Sequence, residues 1–188
     1  MKLILGSKSP RRREILSMVT TDFEVRVSDC DESYGRNTPL SDVPKILAER
    51  KAMAIDIKDD EVVIGCDTVV IYENNLLGKP RDKADAIKML ELLNGTTHQV
   101  VSGICVRTRE RCYSEAITTN VTFRSLERNE IVNYVERCNP VDKAGAYGIQ
   151  EAAGAFVEKI EGDFYNVVGL PLCRLCEILK EQTGINLL

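Results

Sequence analysis

The sequence predicts an α/β fold: a mixed, twisted sheet with flanking helices and two lobes around a cleft. Three observations predict it. Apolar, β-branched runs alternate with segments of helical spacing along the chain. Val62–Ile71 is a long β-branched run, as expected of a central strand. His98–Arg107 and Tyr113–Phe123 read as two strands joined by a polar turn, which makes the sheet mixed.

The elements follow in order. Leu3–Leu5 is a short buried strand, and Ser7 or Ser9 caps the helix opened by Pro10. Phe23–Val27 alternates as a strand does. Residues 38–44 turn into a helix whose spacing runs from Val43 to Ile57. After the central strand, Glu73-Asn74-Asn75 has hairpin-turn chemistry. Asp82–Leu93 is an amphipathic helix stopped by Asn94-Gly95, and Leu126–Cys138 is another, ended before Pro140. Asp142–Gln150 is a glycine-rich loop with room for a strand after it, and Phe156–Ile160 is a short strand. Gly162-Asp163 turns the chain, and Asn166–Pro171 leads into a last helix through Lys180. No repeat, low-complexity segment or linker interrupts the pattern, so residues 1–188 are expected to form one domain.

Composition narrows the function. Apolar residues make up 44% of the 188, enough for a real core. No stretch approaches the roughly 18 apolar residues of a membrane span. The first residues lack the layout of a secretory signal, so no membrane partner and a cytoplasmic location are expected. The net charge of −4 argues against nucleic acid as a partner. An anion site must therefore be a local concentration of Arg and Lys. Seven scattered cysteines do not make a disulfide framework. Cys173-x-x-Cys176 has the spacing of a redox or zinc half-motif, but it lies in a helical stretch without partner ligands and reads as a pair of buried core thiols.

Five groups sit where the apolar pattern breaks. Arg11, Arg12 and Arg13 fall in the first turn of a helix, where a cation loses about 0.3–1 kcal/mol to the helix dipole. A strand-to-helix turn with Ser7, Ser9 and arginine forks suits phosphate, with Arg11 and Arg12 ahead of Arg13. The alternative is a solvated basic turn. Asp67, inside the central strand, is expensive to bury unpaired, so it is either salt-bridged or functional. Asp31-Glu32 is either a solvated loop pair or a second carboxylate for a cation at Asp67. Lys79, in Gly78-Lys79-Pro80, takes its meaning only from its surroundings, because P-loop spacing is absent. Lys143–Gln150 is either an ordinary loop or one whose small residues permit close backbone approach, with the Gln150 amide offering the donor and acceptor needed to read a base edge. His98 has no nucleophile elbow to serve and reads as structural.

In this order the pieces resemble the Maf family of nucleotide pyrophosphatases. The matching stretches are Ser7–Leu16 (SKSPRRREIL), Asp67–Val70 (DTVV), Gly78–Pro80 (GKP), Thr97–Val100 (THQV), Asp142–Gln150 (DKAGAYGIQ) and Asn166–Pro171 (NVVGLP). The resemblance implies a fold like that of the inosine-triphosphate pyrophosphatases and a cytoplasmic homodimer. It implies hydrolysis of a nucleoside triphosphate to monophosphate and pyrophosphate with Mg²⁺ or Mn²⁺. It makes Asp67 the proton acceptor, with Glu32 and Lys79 beside it, and Asp67 and Glu32 the metal ligands. Ser7, Arg11, Arg12, Lys51, Thr68 and Gln150 become substrate-binding positions. The AGAYGIQ form ending in Gln150 resembles the branch preferring dTTP and UTP, and an amide can pair with O4 and N3–H of uracil. A branch acting on 7-methyl-GTP carries an acidic residue near that position. A nucleotide-binding regulator of cell division is the alternative outside catalysis. Three positions depart from the family pattern. Gly65-Cys66 precedes Asp67 where alanine is usual, Gly6 replaces alanine, and Glu151 follows Gln150 where glycine is common, adding an anion beside the presumed base reader.

Overall fold

A computed structural model describes every residue except Ser28. Its centre is a seven-stranded mixed sheet. Strand β1 (Lys2–Leu5) lies parallel to both β2 (Phe23–Val25) and β3 (Glu61–Tyr72). Antiparallel strands β5 (Thr97–Arg107), β6 (Cys112–Phe123) and β7 (Val157–Glu161) extend it in the order β2-β1-β3-β5-β6-β7. The short β4 (Asn75–Leu77) folds back on the end of β3. The turn between them holds Glu73 and Asn74 at φ of 46° and 61°. Positive φ at two central residues is what a two-residue hairpin demands, and asparagine tolerates it well.

The helices are α1 (Pro10–Ser17), α2 (Val43–Met53), α3 (Lys83–Leu93), α4 (Arg128–Cys138), α5 (Phe164–Val168) and α6 (Leu172–Thr183). Ser9 caps α1 by accepting the Arg12 amide, and Asp82 caps α3 by accepting that of Asp85. Glu127 and Glu130 close a reciprocal box at the start of α4. The core divides into two large clusters. One joins Leu3, Leu5, Ile15, Leu16 and Ile64 to Leu175, Ile178 and Leu179 of α6. The other gathers Leu90, Leu93, Phe123, Ile131, Val135 and Phe156 around α3 and α4. Strand β3 contributes Ile64 to the first and Val70 to the second, so the residues between them lie at the junction.

Helix α2 packs on β3 and β5 through two glycines. A methyl at Gly65 would lie 2.2 Å from the Ala48 carbonyl oxygen, and one at Gly103 would lie 2.1 Å from that of Pro44. Only bare backbone admits so close a helix. Gly103 is also the register partner of Asp67, so the glycines draw α2 down beside that carboxylate.

Five expectations are corrected. Strand β2 stops at Val25 and α2 at Met53, short of Val27 and Ile57. Residues 152–156 coil into 3₁₀ turns rather than a strand, and Asn166-Val167-Val168 belongs to a helix of its own, α5, capped by Asp163. Cys173 is exposed and Cys176 half-buried rather than both in the core. The buried stripe of α6 runs through Leu172, Leu175, Ile178 and Leu179, and Cys173 falls off it. No helix among the described residues is long and apolar enough to cross a membrane.

Candidate active site

The site begins with a gap in strand pairing. On one side of β3, β1 covers Glu61–Ile64 and β4 covers Val70–Tyr72. Residues 65–69 have no strand neighbour there, and Asp67 and Thr68 sit in that interval. A cavity of about 1030 Å³ opens over it. This is the upper end of the range for small-molecule sites. Ser7, Arg11, Arg12, Glu32, Lys51, Asp67, Thr68, Lys79 and Gln150 all line it, so the structure brings together every candidate singled out as catalytic or substrate-binding. Arg13 is on the outside, beside Ser17 and Phe23. At successive positions round a helix the three arginines cannot share a face.

Asp67 does not stand alone. Lys51, on the α2 turn that the glycines bring close, donates from Nζ to Asp67 Oδ1. The same ammonium lies 3.0 Å from Glu32 Oε1. Burial works against the charge on Lys51, but the two carboxylates outweigh it and hold its pKa above the ordinary value. Both ends of the pair are mostly buried, at 20% and 13% side-chain exposure, so its Coulomb energy is weakly screened. Asp67 Oδ2 has no hydrogen-bond partner among the described residues and is left for whatever enters the cavity. Asp31 turns the other way, towards Arg50 and the Ser33 amide, which leaves Glu32 as the neighbour that reaches the cleft.

Arg12 is engaged by protein on nearly all its donors. Nε donates to the Gly169 carbonyl at 2.8 Å, and Nη1 to the Cys66 carbonyl at 2.7 Å and to Ser7 Oγ at 3.2 Å. Nη2 donates to Thr68 Oγ1 at 3.0 Å. The Cys66 carbonyl is one of those left open by the gap in pairing, so the guanidinium stands in for a missing strand. Thr68 Oγ1 in turn lies 2.8 Å from Ser102 Oγ, which donates to the Asn166 carbonyl. Ser102 and Asn166 are fully buried. They escaped the sequence reading because a serine inside an alternating strand gives no signal until its neighbour across the sheet is known.

The cationic wall is completed by Arg11 and Lys79. Arg11 has a loose pairing with Asp142, 3.6 Å away. Lys79 makes no ion pair among the described residues; it follows β4, is exposed and lines the cavity. Gln150 is exposed at the rim. Its loop is anchored where the Gly145 amide donates to the Gly78 carbonyl at 3.1 Å, next to Lys79. Within that loop Lys143 is buried, with Nζ 2.9 Å from Asp142 and 3.3 Å from Glu151. It too was not found from sequence, since a lysine in a polar loop is ordinarily solvated.

His98 is structural as expected. It is 2% exposed, its Nε2 lies 2.8 Å from Tyr147 Oη, and its ring meets Phe123 and Tyr147 edge-on. Burial pushes its pKa down to about 4, so it is neutral at physiological pH.

The donor chemistry fits a divalent cation. Asp67 and Glu32 already converge on one cationic position, that of Lys51 Nζ, and both offer hard carboxylate oxygens. No three His, Cys, Asp or Glu side chains gather at one point among the described residues. Two carboxylates supplemented by substrate phosphate oxygens and water is how Mg²⁺ is commonly held.

The chain matches a family model described as Maf-like protein over residues 2–182. It is 47% identical over 192 residues, spanning both chains in full, to a protein of Clostridium novyi (strain NT) named dTTP/UTP pyrophosphatase. It is 44% identical over 181 residues to one of the same name from Bacillus cereus (strain B4264), covering 96% of this chain and 95% of that one. A solved structure, that of the Staphylococcus aureus Ham1 protein, aligns with 65% of this chain and 72% of its own at 14% identity and a TM-score of 0.46.

Proposed function

Because the chain belongs to the Maf family, we propose that it is a nucleoside triphosphate pyrophosphatase acting on dTTP and UTP. The products are the monophosphate and pyrophosphate. The observation that carries the reading is Asp67. A carboxylate stands in the pairing gap of the central strand, held by a mostly buried lysine, and faces a cavity walled by Arg11 and Lys79.

The chemistry follows from those positions. Arg11 and Lys79 bind the phosphate chain, and Ser7 and the amides at the start of α1 add donors. Arg12 fixes the floor, tying α1 to β3 and to Gly169. Lys51 orients Asp67 so that Oδ2 faces the water that attacks the α-phosphorus, and Asp67 accepts its proton. The developing charge spreads over the cationic wall, which is electrostatic stabilisation of a dispersed anion. Asp67 and Glu32 would hold Mg²⁺ or Mn²⁺, which when bound supplies charge neutralisation on the phosphate oxygens. Gln150 at the rim is placed to read the base, its amide matching O4 and N3–H of uracil or thymine. The continuous sheet supports reading residues 1–188 as one domain, and the family resemblance carries a cytoplasmic homodimer.

A substrate panel tests this. With Mg²⁺ present, UTP and dTTP are expected to yield monophosphate and pyrophosphate, resolved by ion exchange. Preferential cleavage of 7-methyl-GTP would overturn the base assignment. Release of nucleoside diphosphate and phosphate would overturn attack at the α-phosphorus.

A further inference from the structure

Lys143 is the most enclosed cation bordering the cleft, with only 8% of its side chain exposed. Its stem crosses beneath Gly148, where an added methyl would lie 2.8 Å from Lys143 Cε and 3.3 Å from Glu151 Cδ. Its ammonium reaches Asp142 Oδ1 at 2.9 Å and Glu151 Oε1 at 3.3 Å. The remaining polar groups here are Arg11, 3.6 Å from Asp142 Oδ2, and Tyr134, whose hydroxyl accepts the Gly148 amide at 3.3 Å. Partial burial opposes ionisation of Asp142, but the hydrogen bond and charge of Lys143 prevail and keep its pKa below the usual range, with Arg11 contributing less. Asp142 is therefore an anion, and its carboxylate and that of Glu151 both line a cavity assigned to a polyanion.

Left to themselves, Asp142 and Glu151 would repel a triphosphate, and Asp142 would draw Arg11 out of use. Lys143 meets both carboxylates. The contact of Asp142 with Lys143 is short and that with Arg11 is long, so Arg11 is the partner more readily released. Glu151 stands where the family pattern commonly has glycine, so this chain carries an extra anion that needs a counter-charge. Resting on the pyrophosphatase reading above, we infer that Lys143 is a positioning residue: it screens Asp142 and Glu151 from the triphosphate and leaves Arg11 free to turn to the phosphates.

The test is a set of four variants assayed with UTP. Lys143→Met is expected to raise KM about tenfold with kcat within about threefold, because Glu151 then repels the substrate and Asp142 holds Arg11 back from it before any bond changes. That rise should shrink at about 0.5 M salt, where screening reaches only a few ångströms. Lys143→Arg should keep KM. Glu151→Gln should lower KM about two- to threefold, since it removes an anion and leaves the lysine's charge in place. Lys143→Met/Glu151→Gln should bring KM back towards the parent value. A purely structural role for Lys143 would lower melting temperature and kcat without the salt dependence or the rescue. A normal KM in Lys143→Met, a raised KM in Glu151→Gln, or no rescue in the pair overturns the inference. Glu151→Gln, altered at a partly exposed position, decides the matter even if Lys143→Met fails to fold. UTP Kd values by calorimetry with divalent cations chelated read the same pattern without turnover, so a parent protein that hydrolyses nothing would count against the pyrophosphatase reading and not against this one.

Discussion

Gly65→Ala adds one methyl group at a position that does not itself line the cavity, and the structure sets the size of its effect. Gly65 does not have a positive φ, so alanine meets no backbone penalty. The whole effect is steric. The new carbon would lie 2.2 Å from the Ala48 carbonyl oxygen and 2.9 Å from Ala52 Cβ. Helix α2 must withdraw by about 1 Å to restore ordinary contacts. Overpacking of this kind costs about 1–3 kcal/mol. In a chain of this length that is a drop in melting temperature of about 2–12 °C. Lys51 rides on the same helix, so its hold on Asp67 loosens with the shift. A displacement of about 1 Å at a catalytic group is worth about 10²-fold in rate. Calorimetry and steady-state assay with UTP read the two effects on one preparation, and Gly78→Ala, with nothing within 4 Å of its methyl, is the control for melting. A Gly65→Ala protein that melts and turns over like the parent would refute the claim that α2 is seated through this glycine to place Lys51.

Two further outcomes follow from the same geometry. Arg11→Gln should raise KM about tenfold with little change in stability, Arg13→Gln should change neither, and Arg12→Lys should lower both activity and melting temperature, since its charge survives while the fork to Ser7, Thr68 and two carbonyls is lost. The pH dependence of stability isolates His98, the only histidine in the chain. Its folded pKa of about 4 lies below the ordinary 6.5, so the unfolded chain takes up a proton that the folded one refuses. Stability is then intact above pH 6.5 and falls towards pH 4, by about 2 kcal/mol at pH 5. Denaturant titrations at pH 7 and pH 5 should show that loss, and His98→Gln should not; an equal loss in both would contradict it.

Much of this was legible in the sequence because it rests on local chemistry. The strand-turn-helix of Leu3–Ser17, the Glu73-Asn74 hairpin and the split between Arg11, Arg12 and Arg13 follow from capping, positive φ and helical period. Asp67 announced itself by the cost of a carboxylate in a β-branched strand. What stayed hidden depends on contacts between distant segments. Lys51 is one charge among Glu49, Arg50 and Lys51 until two glycines seat its helix on the sheet. Ser102 and Asn166 matter only once Thr68 lies across from one and α5 carries the other. Lys143 looks like a solvated loop lysine, and its burial comes from a fold of the loop around Gly148 that no periodicity records. The family resemblance supplied roles for Lys51 and Lys79 that residue patterns alone did not.

The central claim is that Asp67 accepts the proton of the attacking water. Asp67→Asn removes the base and keeps a hydrogen-bond acceptor for Lys51. Turnover of UTP should fall by about 10²–10⁴-fold, while UTP binding by calorimetry and the melting temperature stay near those of the parent. An Asp67→Asn protein that hydrolyses UTP at the parent rate would contradict the account.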